Sequence, residues 1–136
     1  VSAAPANDPR RRPLVLVVDD DDDLRELLVV LLGGDGIEVA TAGNGQQALE
    51  SIAVRRPDLI LLDMKMPVMD GWEFCRRLDA DVAQAGSRPP ILVMTAAFDP
   101  AARAAEVRAD GWIGKPFENE EIRSMVRRIV SRGSSS

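Results

Sequence analysis

Residues 14–28 read LVLVVDDDDDLRELL. Five apolar residues run into five consecutive aspartates, and a second apolar segment follows at once. A short continuous apolar run with polar flanks is the pattern of a strand buried on both faces. Beyond it, Leu24, Leu27, Leu28 and Leu31 keep the i, i+3, i+4, i+7 spacing of one helix face. The stretch is a strand, a loop and a helix, with its acidic charge concentrated in the loop. Two carboxylates about 4 Å apart in a surface-like dielectric repel by on the order of 4 kcal/mol. A cation, a helix N-terminus or solvation must offset that cost.

The same alternation recurs along the chain. IEVAT (37–41), DLILLD (58–63), PILVMT (90–95) and GWIGK (111–115) read as strands, and helical segments lie between them. Ile122, Met125, Val126 and Ile129 repeat the helical spacing near the end. Asn44 with Gln47, and Asp70 with Glu73, resemble capping boxes. Asp99-Pro100 carries the signature of an N-cap followed by proline, and Gly33-Gly34-Asp35-Gly36 is a helix stop. Five βα repeats with right-handed crossovers give an α/β fold, an open parallel sheet with helices on both faces. No GxGxxG follows the first strand and no Walker lysine motif is present, which argues against nucleotide-binding versions of this architecture.

Composition narrows the function. The 136 residues make one domain, 46% apolar and 29% charged, as expected of a soluble globular chain. A net charge of −5 argues against nucleic acid as a direct partner. The one basic run, Arg10-Arg11-Arg12, lies in a Pro- and Ala-rich leader and reads as a solvated tail. Histidine is absent, which excludes histidine-based triads, HExxH zinc sites and a phosphohistidine carrier. The single cysteine, Cys75, reads as an inert core thiol. No apolar stretch is long enough for a membrane span, so a cytoplasmic protein without a membrane partner is expected. Residues 1–12 and 132–136 are expected to be a flexible leader and tail around a domain of residues 13–131. Too few residues follow the fifth helix for a further domain, which leaves a stand-alone regulator and a piece of a longer protein equally open.

In doubly wound folds the functional groups collect at the carboxyl ends of the strands. Those ends carry Asp19-Asp20, Asp63, Thr95 and Lys115. A carboxylate nucleophile can form an acyl phosphate, and other carboxylates can hold a hard divalent cation against phosphoryl oxygens. Lysine and hydroxyl donors can take the remaining oxygens, so positioning and electrostatics do the catalysis.

From VVDDD at the first strand, LILLDMKMPVMDGWEF around Asp63, VMTA at the fourth strand and GWIGKPF at the fifth, the chain resembles the response-regulator receiver domains of two-component signalling. The resemblance covers about residues 13 to 131. It implies the flavodoxin-like doubly wound fold, with five parallel strands in the order 2-1-3-4-5. It makes Asp63 the acceptor of a phosphoryl group in a Mg²⁺-dependent reaction. Asp20 becomes a direct Mg²⁺ ligand, Asp19 acts mainly through water, and the backbone carbonyl of Lys65 is a further ligand. Thr95 and Lys115 bind phosphoryl oxygens, and Lys115-Pro116 is a cis junction. The implied partners are a histidine kinase or histidine phosphotransfer protein, and a downstream protein or fused output domain.

Crowding should raise the pKa of one of Asp19 and Asp20 when no metal is bound. Asp21, Asp22 and Asp23 read more simply, as caps and first-turn anions of the first helix. Trp112 stands at the family's switch-aromatic position, with a half-buried packing role as the alternative. Trp72 is expected to pack at the start of the third helix. Arg108 stands where the family often has glycine, so local geometry or a partner contact is expected to differ there. Two competing readings are weaker. A phosphatase with an aspartate nucleophile would place a second aspartate two residues on, where this chain has Lys65. A degenerate receiver would not keep the acidic, threonine and lysine positions together. The expectation is a signalling phosphoacceptor, not an enzyme acting on other substrates.

Overall fold

The structure, a computed structural model, describes residues 12–85, 87–96 and 98–134. Residues 1–11, most of the expected leader, and residues 135–136 of the expected tail lie outside the described residues. The elements alternate without exception: β1 (Leu14–Val18), α1 (Asp22–Gly33), β2 (Glu38–Ala42), α2 (Gly45–Val54), β3 (Leu59–Leu62), α3 (Gly71–Ala85), β4 (Ile91–Thr95), α4 (Pro100–Glu106), β5 (Gly111–Gly114) and α5 (Asn119–Ser134). All five strands are parallel, in the order β2-β1-β3-β4-β5. The expected flavodoxin-like sheet is therefore present.

Every residue of β1, β3 and β4 is buried, which explains why these strands are apolar without alternation. Period-two geometry still sorts their side chains between two cores. Leu16, Val18, Ile60, Leu62, Ile91 and Val93 face α2, α3 and α4, where Ala48, Phe74, Leu78 and Ala104 meet them. Val15, Val17, Leu59, Leu61, Leu92 and Met94 face α1 and α5, against Leu28, Leu32, Ile122 and Val126. In α1 the stripe is turned from the expected one. Leu28 and Leu32 are fully buried while Leu27 is 41% exposed. LLVVLL is apolar all round, so its spacing fits several stripes and the sheet selects one.

The end signals act largely as expected. Asn44 accepts from the Gln47 N–H (2.9 Å) and Asp70 from the Glu73 N–H (2.9 Å). The reciprocal half of each box differs. Gln47 accepts from the Gly43 N–H (2.7 Å), and Glu73 pairs with Arg76 and Arg77. Past α1 the left-handed residue is Gly36 (φ 78°), while the helix cap Gly34 stays right-handed. Asp35 in that turn takes both Nε and a terminal nitrogen of Arg123 on α5 (3.0 and 2.7 Å), and Arg123 holds its carboxyl below the usual range. Among the described residues, no helix is long and apolar enough to cross a membrane.

Candidate functional site

Strand order brings the acids together. β1 and β3 are neighbours with Val18 opposite Leu62, so Asp19 and Asp63 leave the sheet side by side. The Asp63 N–H donates to the Val18 carbonyl (2.9 Å), and the Asp19 N–H donates to the Ala42 carbonyl on the other flank (3.1 Å). Asp19, Asp20 and Asp63 each offer a carboxylate oxygen within 4.8 Å of the others. Asp19 and Asp63 are buried, whereas Asp20 faces solvent. On the other side of β3, Thr95 ends β4 and is buried, and its carbonyl accepts from the Lys115 N–H (2.9 Å). The Lys115-Pro116 bond is cis, as the resemblance implies. The Lys115 ammonium donates to Asp19 Oδ2 at 2.5 Å and lies 3.6 Å from Asp63 Oδ2.

The Lys115 ammonium pairs with Asp19 and Asp63, and the exposed Asp20 adds a third carboxylate to the cluster. Burial, opposed by the charge of Lys115 and reinforced by that of Asp19, pushes the Asp63 carboxyl above its usual range. Burial pulls the Lys115 ammonium down, but its hydrogen bond and attraction to Asp19 and Asp63 outweigh this, leaving its pKa raised. Oxygen-only donors with surplus negative charge suit a hard divalent cation. The Lys65 N–H donates to Asp63 Oδ1 (3.3 Å), which places the Lys65 peptide against the cluster.

The remaining aspartates of the opening run do a different job. Asp21 is the N-cap of α1, accepting from the N–H groups of Asp23 (3.0 Å) and Leu24 (3.2 Å). Asp22 and Asp23 lie in the first turn, where the helix dipole favours anions. Trp112 sits on β5 and is 46% exposed. Trp72 packs against the α2–α4 core, and its Nε1 donates to Glu106 Oε1 on α4 (2.9 Å). Burial pushes the Cys75 thiol up to about 11, in keeping with an inert core position.

Some residues around the site gave little or no signal in the sequence. Arg25 donates to the Asp19 carbonyl (2.7 Å) and pairs with Asp22, tying α1 to the loop that carries the acids. Its i, i+3 spacing from Asp22 was visible; its reach to Asp19 was not. Gly45, described below, carried no signal beyond opening a helix.

The comparisons with known proteins agree with this geometry. The family model for the response regulator receiver domain matches residues 15–127. The DNA-binding response regulator MtrA of Mycolicibacterium paratuberculosis is 42% identical over 105 residues, which is 76% of this chain and 44% of that protein. The response regulator MprA of Mycobacterium leprae is 40% identical over 100 residues, 72% of this chain and 42% of that one. The chain thus spans less than half the length of these relatives. Among solved structures, the signal receiver domain of a signal transduction histidine kinase from Syntrophus aciditrophicus superposes with a TM-score of 0.79 at 31% identity, covering 91% of this chain and 94% of that one. The chemotaxis protein CheY4 of Vibrio cholerae gives 0.77 at 33%, covering 88% and 99%. Acidic cluster, strand order and sequence converge: the chain belongs to the response-regulator receiver domains, the phosphoacceptor modules of two-component signalling.

Proposed function

We propose that Asp63 accepts a phosphoryl group from a phosphohistidine on a histidine kinase or phosphotransfer protein. An Asp63 carboxylate oxygen attacks phosphorus, the P–N bond breaks, and the histidine nitrogen leaves with the electron pair. The residues around Asp63 fit Mg²⁺, which when bound supplies charge neutralisation at the phosphoryl oxygens. Asp20 and Asp63 would hold it directly, with the Lys65 carbonyl, and Asp19 through water. Thr95 and Lys115 take the other phosphoryl oxygens. Lys115 need only shift its ammonium from Asp19 toward the neighbouring Asp63. Phosphorylation then switches a partner-binding surface that includes α4 and Trp112. In this reading residues 13–131 are the receiver unit and work in the cytoplasm, signalling to a downstream protein or fused output domain.

The observation that carries this reading is the packing of three carboxylates within 4.8 Å, with one lysine across them. Intact-mass spectrometry with a small phosphodonor and Mg²⁺ tests it. One labile phosphate should appear on the chain and vanish in Asp63→Asn, which should stay folded. Retained single-site labelling in Asp63→Asn would remove the assignment.

A further inference from the structure

We propose that Gly45, at the start of α2, is a positioning residue for the metal site and acts through the main-chain carbonyl of Met69. The proposal rests on the Mg²⁺ reading above and adds a group that never touches the ion.

The loop between β3 and α3 carries Asp63 at one end and the Lys65 carbonyl just inside it. Two glycines with no room for a side chain hold this loop. At the α3 end, the Gly71 N–H donates to the Met64 carbonyl (2.9 Å). A Cβ at Gly71 would lie 2.8 Å from Met64 Cα and 3.0 Å from the Asp63 carbonyl oxygen. That glycine belongs to the stretch around Asp63 already singled out in the sequence. The second anchor comes from another element. The Gly45 N–H donates to the Met69 carbonyl at 3.0 Å, and a Cβ at Gly45 would lie 2.8 Å from Met69 Cγ, 2.9 Å from Sδ and 3.0 Å from that carbonyl oxygen.

Two features separate this contact from ordinary packing. Gly45 is the first residue of α2 and has no positive φ, so glycine is required by close approach and not by backbone conformation. Its N–H is also one of the helix's leading donors that lack an intrahelical acceptor. The Asn44 side chain takes the Gln47 N–H of the same turn, and the Met69 carbonyl takes that of Gly45. The loop itself is under strain. Val68, the residue before Met69, has φ 69°, a left-handed conformation that a β-branched residue adopts only when its surroundings compel it. Met69 is buried in the α2–α4 core. Val68 is bracketed by the Met69 N–H, which donates to the Pro67 carbonyl (2.7 Å), and pushing the Met69 backbone from Gly45 disturbs that turn. The loop can then relax at Val68, and the Lys65 peptide moves relative to Asp63.

Calorimetric Mg²⁺ titration of the full chain tests this. Gly45→Ala should weaken Mg²⁺ binding about tenfold, the scale seen when groups supporting a metal ligand are altered. Ala48→Gly, a buried site on the same helix, should lower the melting temperature yet keep Mg²⁺ affinity within about twofold of wild type. Equal Mg²⁺ affinity in Gly45→Ala and wild type would overturn the proposal. So would an equal loss in Ala48→Gly, which would reduce Gly45 to a stability residue. If Gly45→Ala does not fold, Gly45→Ala/Met69→Ala removes the two thioether contacts and keeps the carbonyl contact. It should still bind Mg²⁺ more weakly than Met69→Ala alone, and equal affinity of those two variants overturns the proposal. Failure of the wild-type chain to take up Mg²⁺ would instead sink the metal reading itself, and this inference with it.

Discussion

Helices α1 and α4 border the same functional edge but are held by different forces. α1 has 12 residues, inserts Leu28 and Leu32 fully into the core, and starts on Asp21, which caps two N–H groups. α4 has seven residues and buries only Ala104. Its N-cap Asp99 and the residue just past its C-cap, Arg108, both have positive φ, at 58° and 54°. What α4 lacks in apolar burial it gains in polar ties to neighbouring elements. Trp72 on α3 donates to Glu106, which also takes both Nε and a terminal nitrogen of Arg103 (2.9 and 2.8 Å). Arg88 donates to the Val107 and Arg108 carbonyls (2.6 and 2.5 Å) and to Asp79 on α3 (3.0 Å). Burial of a leucine contributes about 2 kcal/mol and does not depend on direction. Hydrogen bonds contribute about 1 kcal/mol each and can be broken by a small shift. The expectation that follows is that α4 shifts more easily than α1.

The sharpest way to break this comparison is to empty the α1 core. Leu28→Ala should cost about 3 kcal/mol in urea unfolding, whereas Ala104→Gly in α4 should cost about 1 kcal/mol. Similar losses at the two sites would erase the distinction.

Next in size is the tie behind α4. Arg88→Ala should cost about 2 kcal/mol, because two carbonyls and a carboxylate lose a charged donor. Amide exchange should quicken in α4 and at the start of β5 and leave α1 unchanged. Unchanged exchange in α4 would show that its hold on the sheet suffices without Arg88.

The smallest effect has the opposite sign. Arg108→Gly should raise stability by about 0.5 kcal/mol, since relief of a left-handed residue outweighs the entropy of glycine. The ion pair lost to Asp79 spans 3.5 Å from an 81% exposed side chain and contributes little. Thermal unfolding reads the result, and a destabilised Arg108→Gly would mean that Arg108 is a true part of the α4 clamp.

Arg108 also shows how far the sequence can be read. Glycine's absence there suggested altered geometry, yet the backbone keeps the left-handed turn that glycine would favour and places an arginine in it. The capping boxes were legible on their forward side, Asn44 to Gln47 and Asp70 to Glu73, because those bonds span three residues. Their return bonds were not, because Gln47 and Glu73 took other partners, the Gly43 N–H and the arginines of α3. Crowding of like charges was legible too; at Asp63, burial by the sheet is the larger cause of its raised pKa, and no local pattern shows it.

What the sequence determined by itself is what short-range chemistry controls. Apolar runs specified the strands, helical spacing and caps specified the helices, and the alternation specified a parallel sheet whose carboxyl edge gathers Asp19, Asp20, Asp63, Thr95 and Lys115. The tertiary structure alone decided which leucines of α1 turn inward and how Asp35 meets Arg123, 88 residues away. It also decided that Trp72 bonds to Glu106 and that Gly45 lies under Met69. Those contacts join residues whose separation in space depends on strand order and crossover, so no local pattern encodes them. They exist only once both cores have closed.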